Sequence, residues 1–252
     1  MRVSIGCRRA GYKARVVFGT VAAAVLLLAS AGCGKTAERK DVDTVQTAAA
    51  APDVIRGTFT DTRDAKTYRT VGIGKLTWMA ENLNFATDSS RCYDNADSNC
   101  TKYGRLYNWD DAMKACPVPW RVPSDEDWGS LTVAVGGQRV KDKDGDYYWK
   151  FAGRKLKSTT GWIDREWKDD DGNQISGNGT DDFGFSALPG GDGRSGGYFY
   201  NAGLSGYWWS ATEDAASNAW NRGMGYDIDS VRRDIGNKTD LLSVRCIRDV
   251  RP

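Results

Sequence analysis

The chain has 252 residues, 40% hydrophobic and 27% charged, enough for one sizeable core and ordinary for a globular domain. Its formal charge of +2 conceals an asymmetry: residues 1–32 carry five cations and no acid, which leaves 30 cations against 33 acids, a net of −3, in the rest. No basic face for nucleic acid follows from that balance. There is also no histidine, which excludes His-dependent triads, His-held haem and His-based zinc sites.

The first element is a targeting signal. A basic stretch ends at Arg15, an apolar run extends from Val16 to Ala29, and small residues lead to Ser30-Ala31-Gly32-Cys33. The run is too short, and too interrupted by Gly19 and Thr20, for a membrane span. The cysteine after two small residues resembles the lipobox of bacterial lipoproteins, with Ser30 where that pattern usually has Leu. The resemblance implies a signal peptide over residues 1–32 and diacylglyceryl transfer to Cys33, which becomes the new N-terminus. Its partner would be the lipid membrane, its place the cell envelope, facing the periplasm or the exterior. The alternative is cleavage after Ala29-Ser30-Ala31, which releases the chain. Six cysteines occur. Cys7 leaves with the signal and lipidation consumes Cys33, so Cys92, Cys100, Cys116 and Cys246 remain. An even number suits an oxidising compartment, and three pairings are open.

Residues 33–53 are polar and Ala-rich without periodicity, closing on Pro52, and are expected to be a flexible tether to a domain over residues 54–252. From Thr58 the texture becomes short strands and tight turns. Thr58-Phe59-Thr60 and Thr67 to Val71 read as a hairpin, and Gly72 to Gly74 turn the chain into Leu76-Thr77-Trp78-Met79. Leu106, Trp109, Ala112 and Met113 stand at helical spacing and predict a helix over about Leu106 to Ala115, stopped by Pro117. Ser124 with Asp127 forms a capping-box variant for a second helix, with Trp128 and Leu131 on its apolar face and Gly136-Gly137 at its end. Beyond Gly153, Gly-punctuated aromatic strands follow. The pattern is an α+β domain with two helices early and mostly antiparallel short strands late.

Phe59-Thr60-Asp61, Trp78-Met79-Ala80-Glu81-Asn82-Leu83-Asn84, Tyr103-Gly104-Arg105-Leu106-Tyr107, Gly184-Phe185-Ser186-Ala187-Leu188-Pro189-Gly190-Gly191, Trp208-Trp209-Ser210-Ala211-Thr212-Glu213 and Ser243-Val244-Arg245-Cys246 appear in that order. Together they resemble the Fibrobacter succinogenes major paralogous domain over about Thr58 to Asp249. More distantly, Trp120-Arg121-Val122-Pro123-Ser124 and the closing Ser243 to Cys246 resemble formylglycine-generating enzymes and C-type lectins. These resemblances imply a disulfide-braced, C-type-lectin-like fold whose termini meet in one sheet. They also imply the pairing of Cys116 with Cys246, which leaves Cys92 with Cys100.

No catalytic set assembles from the residues. Formylglycine-generating enzymes use a reactive cysteine pair near the C-terminus, where this chain has Cys246 alone. The Asp runs at 142–146 and 169–171 fail the calcium-loop template: Tyr147 and Gln174 take the required Gly position, and Gly153 and Thr180 that of the bidentate Glu. Trp220-Asn221 resembles the calcium motif of lectins, but Arg222 replaces its Asp. Solvated loop charge is the simpler reading, and neither metal nor cofactor is expected. The aromatic segment from Tyr198 to Tyr226 is richer in meaning. Trp220, Arg222, Met224 and Tyr226 share one parity, as a half-buried strand requires, and Trp208, Trp209 and Trp220 are each expected in the core. Asn221, Arg222, Tyr226, Asp227, Arg232, Arg233 and Asp234 are the surface recognition candidates, for a polysaccharide or protein ligand. A non-catalytic binding module is the expectation. An enzyme of the formylglycine-generating type, or a carboxylate-dependent hydrolase, is the alternative.

Overall fold

The computed structural model describes residues 54–249; the signal segment, the tether and Cys33 lie outside the described residues. The hairpin forms where alternation placed it. In β2 (Thr67–Ile73) Tyr68 and Thr70 turn inward while Thr67 and Arg69 face water. Its turn is set by Asp61, whose carboxylate accepts the Arg63 N–H at 3.0 Å. β1 (Arg56–Thr60) and β3 (Leu76–Met79) flank β2, and β13 (Ile247–Asp249) adds to β3 with Ile247 opposite Trp78. The first and last strands of the described residues thus share one antiparallel sheet, in the order β1-β2-β3-β13.

A second, larger sheet contains β4 (Leu106–Tyr107), β5 (Gln138–Lys141), β6 (Tyr147–Lys150), β9 (Ser205–Ala215), β10 (Asn218–Gly225), β11 (Val231–Asn237) and β12 (Leu242–Ser243). Their order is β4-β12-β9-β10-β11-β6-β5, with β7 (Gly190–Gly193) against β9 and β8 (Phe199–Ala202) against β7. Trp208 and Trp209 on β9 are both fully buried and enter different cores. Trp208 joins Trp78, Trp128 and Phe185, whereas Trp209 joins Tyr107, Trp120 and Val244. Successive strand residues face opposite sides, so one dipeptide anchors both cores.

The helices depart from expectation in number and boundary. The expected Leu106–Ala115 helix is two elements: Leu106 and Tyr107 pair with β12 as a strand, and the helix is α2 (Trp109–Ala115). Asn108 separates them, because its side chain accepts the Asp111 N–H at 2.9 Å and caps the helix there. The second expected helix is α3 (Asp125–Ala134), with the complete Ser124–Asp127 capping box. It stops at Gly136, whose φ of +79° suits a residue without a Cβ. Two short helices were not anticipated, α1 (Asp97–Tyr103) and α4 (Ala152–Leu156). Neither has an apolar stripe to announce it.

A buried polar node ties the two sheets together. Asn82 Oδ1 accepts from Arg245 Nε at 2.7 Å and from Trp208 Nε1 at 2.8 Å, while its Nδ2 donates to the Tyr103 carbonyl at 2.8 Å. The fully buried Arg245 also donates to the carbonyls of Met79, Phe185 and Ser186. A guanidinium without solvent needs such acceptors, since a buried charge left unpaired is costly.

The four domain cysteines pair as Cys92–Cys100 and Cys116–Cys246, with Cα separations of 4.9 and 5.8 Å. The long bridge joins the end of α2 to the residue before β13, across a sequence separation of 130, against 8 for the short one. Chain-entropy arithmetic gives upper values of about 5 and about 2.6 kcal/mol. The double variant Cys116→Ser/Cys246→Ser should therefore lose more unfolding free energy than Cys92→Ser/Cys100→Ser. Urea denaturation checks it, and an equal or reversed order would contradict the assignment of the long bridge as the main brace.

Candidate recognition site

Strands β9, β10 and β11 lie side by side, so register sorts their side chains between two faces. Arg222 stands opposite Trp208 on β9 and Arg233 on β11, whereas Asn221 stands opposite Trp209 and Asp234. Residues directly opposite share a face. The first set looks toward α3.

Here one expectation is corrected. Arg222 is fully buried and Asn221 nearly so, and neither is a surface group. The reason is Asp125 in the first turn of α3. Its Oδ1 lies 2.8 Å from Arg222 Nη1, and Arg222 Nη2 donates to the Asp125 carbonyl at 2.9 Å. Arg233 Nε reaches both oxygens of the same carboxylate at 3.0 Å, while its guanidinium lies 3.2 Å over the Trp220 ring. Two cations opposite one another in register would repel, and a shared carboxylate removes the conflict. Burial alone would raise the Asp125 pKa, but the Arg233 and Arg222 guanidiniums outweigh it and hold the carboxyl below its usual range.

The remaining candidates do reach the surface in varying degree. Arg232 is exposed, while Tyr226, Asp227, Arg233 and Asp234 are half-buried. Tyr226 and Asp227 occupy the β10–β11 turn. Lys157 pins that turn by donating to the carbonyls of Gly225 and Ile228 at 3.0 and 3.1 Å, and burial lowers its pKa to about 8. Of the aromatic segment, Trp208 and Trp209 are core, Trp220 is half-buried beneath Arg233, and Tyr198 and Tyr200 are exposed.

A cleft of about 800 Å³ opens between α3, the β2–β3 turn and the β5–β6 hairpin. Trp78, Leu131 and Trp149 line its depth, with Tyr147, Arg139 and Arg233 on its walls. Arg139 stacks 3.6 Å over Tyr147. The indole N–H groups of Trp78 and Trp149 are buried and find no acceptor among the described residues. Two acids of this wall are already engaged. Asp125 is shared by two arginines, and Asp127 pairs with Arg121 at 2.5 Å and with Ser124. Burial would raise the Asp127 pKa too, but Arg121 and Ser124 pull it below its usual range.

Sequence reasoning missed this cleft because it treated the Asp142–Asp146 run as loop charge alone. That run is the turn of the β5–β6 hairpin: Asp142 Oδ1 accepts the N–H groups of Asp144 and Asp146 at 2.9 Å. The signal was present in Gln138–Lys141 and Tyr147–Lys150, two β-prone segments flanking a turn-forming cluster. Asp169 organises its own turn in the same way, accepting from Asp171 and Asn173.

Fold and site together define a mixed α/β domain, mostly strands with few helices and two disulfides, that opens an aromatic-walled cleft beside its main sheet. The model of the Fibrobacter succinogenes major domain matches residues 71–248, and the chain belongs to that family. Comparisons with curated proteins and with solved structures return no match.

Arg222→Ala empties a fully buried side-chain site and removes one of the two arginines on Asp125, and should destabilise by about 2–5 kcal/mol. Arg232→Ala, at an exposed position, should stay within about 0.5 kcal/mol. Chemical denaturation separates the two, and similar small losses for both would refute a structural role for Arg222.

Proposed function

We propose that the chain is an exported lipoprotein of the cell envelope, anchored through Cys33, whose C-type-lectin-like domain captures a neutral polysaccharide in the cleft between α3 and the β5–β6 hairpin. The observation that carries the reading is the aromatic and apolar lining of the cleft, with Trp78, Leu131 and Trp149 in its depth and Tyr147 on its wall. Tyr147 and Arg139 add an amphipathic wall suited to sugar rings. Charge supports neutrality: the lining cations Lys75, Arg121, Arg139 and Arg233 are matched by Asp125, Glu126, Asp127 and Asp249. Sharing of one sheet by β1–β3 and β13 supports the lectin-like reading.

Catalysis is the weaker reading for this site. A general acid needs a pKa near the working pH, and Asp125 and Asp127 are both held low. A reactive cysteine of the formylglycine-generating kind would need a free thiol, and Cys246 is bonded to Cys116.

The test is a polysaccharide pull-down with glycan-array readout. Arg139→Ala and Tyr147→Ala should each weaken capture about tenfold with an unchanged melting temperature, since interface energy concentrates in few residues. The mature N-terminus should carry acylated Cys33 by mass spectrometry. Variants that bind like the wild type would move the site elsewhere, and a free Cys33 thiol in membranes would remove the anchor.

A further inference from the structure

The face of β9–β11 turned away from α3 carries a second, smaller hollow of about 250 Å³. Tyr207, Asn221 and Asp234 rise from the strands, while Asp192 and Arg194 come from β7 and its end and Asp240 from the segment before β12. Two glycines make the room. A Cβ at Gly223 would stand 2.8 Å from Asp234 Oδ2, and one at Gly236 would stand 3.1 Å from Asn221 Nδ2. The side chains that fill this room are acceptors in excess. Asn221 is 4% exposed, and its Oδ1 accepts no hydrogen bond. Asp192 is 2% exposed; its Oδ1 accepts from Asn201 at 2.8 Å. Its Oδ2 lies 3.2 Å from Arg194 Nη2, close enough for charge attraction but without hydrogen-bond geometry. Arg194 is committed instead to Asp240, at 2.6 Å. Asp234 forms no hydrogen bond through its carboxylate among the described residues, and Arg232 and Arg222 act on it only through space.

Asp192 and Asp240 therefore share the Arg194 guanidinium, Asp234 meets Arg232 and Arg222 only through space, and the Asn221 amide oxygen has no partner among the described residues. Burial raises the pKa of both Asp192 and Asp234, as expected where compensating charge falls short. Among the described residues no three acidic groups converge closely enough to hold a metal ion. Two carboxylates and an amide oxygen with spare acceptor capacity suit a cation that carries several N–H donors.

We propose that this hollow binds a primary ammonium on a slim aliphatic stem, the end of a lysine side chain presented by a partner protein. Asp234, Asp192 and the Asn221 Oδ1 accept its protons, and Tyr207 and Leu242 flank its methylenes. An amino sugar carries the same ammonium, but its ring is bulkier than an aliphatic stem for a hollow of about 250 Å³. The inference stands apart from the polysaccharide cleft, which lies on the other face of the same strands.

The experiment is an NMR titration of the full-length chain with Nα-acetyl-lysine methylamide, following the amides of Gly223 and Gly236. Saturable shifts are expected at those glycines, with at least about tenfold weaker binding once the probe is Nε-acetylated, because charged hydrogen bonds are lost. Asp234→Asn should weaken binding about as much with the fold intact. Gly223→Ala should do the same by crowding the Asp234 carboxylate, and Arg139→Ala in the cleft should change nothing. Equal shifts from the acetylated probe, tighter binding of glucosamine, a response to calcium chloride instead, or wild-type binding by both hollow variants would overturn the proposal.

Discussion

Asp125 sits where three elements meet. As the first residue of α3 it lies at the positive end of the helix dipole, and it accepts from Arg222 on β10 and Arg233 on β11. The register of those strands sets the two guanidiniums side by side, an arrangement that is unfavourable without an anion between them. A buried pair of this kind contributes less to net stability than its distances suggest, because desolvation opposes it. Its larger effect is positional: it fixes the start of α3 against the sheet. The cleft between α3 and the β5–β6 hairpin takes its width from that placement. The same contact spends the Asp125 carboxylate.

The rest of the frame follows the same rule, with interior charges met by backbone carbonyls. Arg245 is held by Asn82 and three carbonyls, immediately beside the Cys116–Cys246 bridge. Lys157 is held by two carbonyls of the β10–β11 turn. These groups stitch together segments far apart in sequence. What remains for recognition is the charge at the edges: Arg139, Arg232 and the acceptors around Asp234. The polysaccharide and lysine readings use those edges and not the interior cations.

Much of the frame was legible from local signals. The Asp61–Lys66 turn, the Ser124–Asp127 capping box and the core positions of Trp208 and Trp209 each rest on a few neighbouring residues, and each formed as expected. The seven recognition candidates were less legible. Arg222 reads as a surface cation on any local argument, because its partner Asp125 lies 97 residues away. Asn221 misleads because it stands in the middle strand of β9, β10 and β11, between Trp209 and Asp234. The start of α2 depended on Asn108, a cap whose strength competes with the apolar spacing that ran through Leu106. The cleft was hidden because its hairpin turn is built from aspartates, which look like solvated charge until their backbone hydrogen bonds are seen.

The clamp on Asp125 can be measured directly, since its two competing influences push the pKa in opposite directions. A folded-state pKa below the ordinary value means that the clamp's contribution is present above that ordinary value and is lost as pH falls through the folded pKa. Carboxyl carbon NMR of Asp125 across an acid titration reads that pKa in place. A midpoint below the ordinary aspartate value of 3.8 is predicted, because Arg233 and Arg222 outweigh burial. A midpoint above 3.8 would mean that burial prevails and that the two arginines do not hold α3 against the sheet.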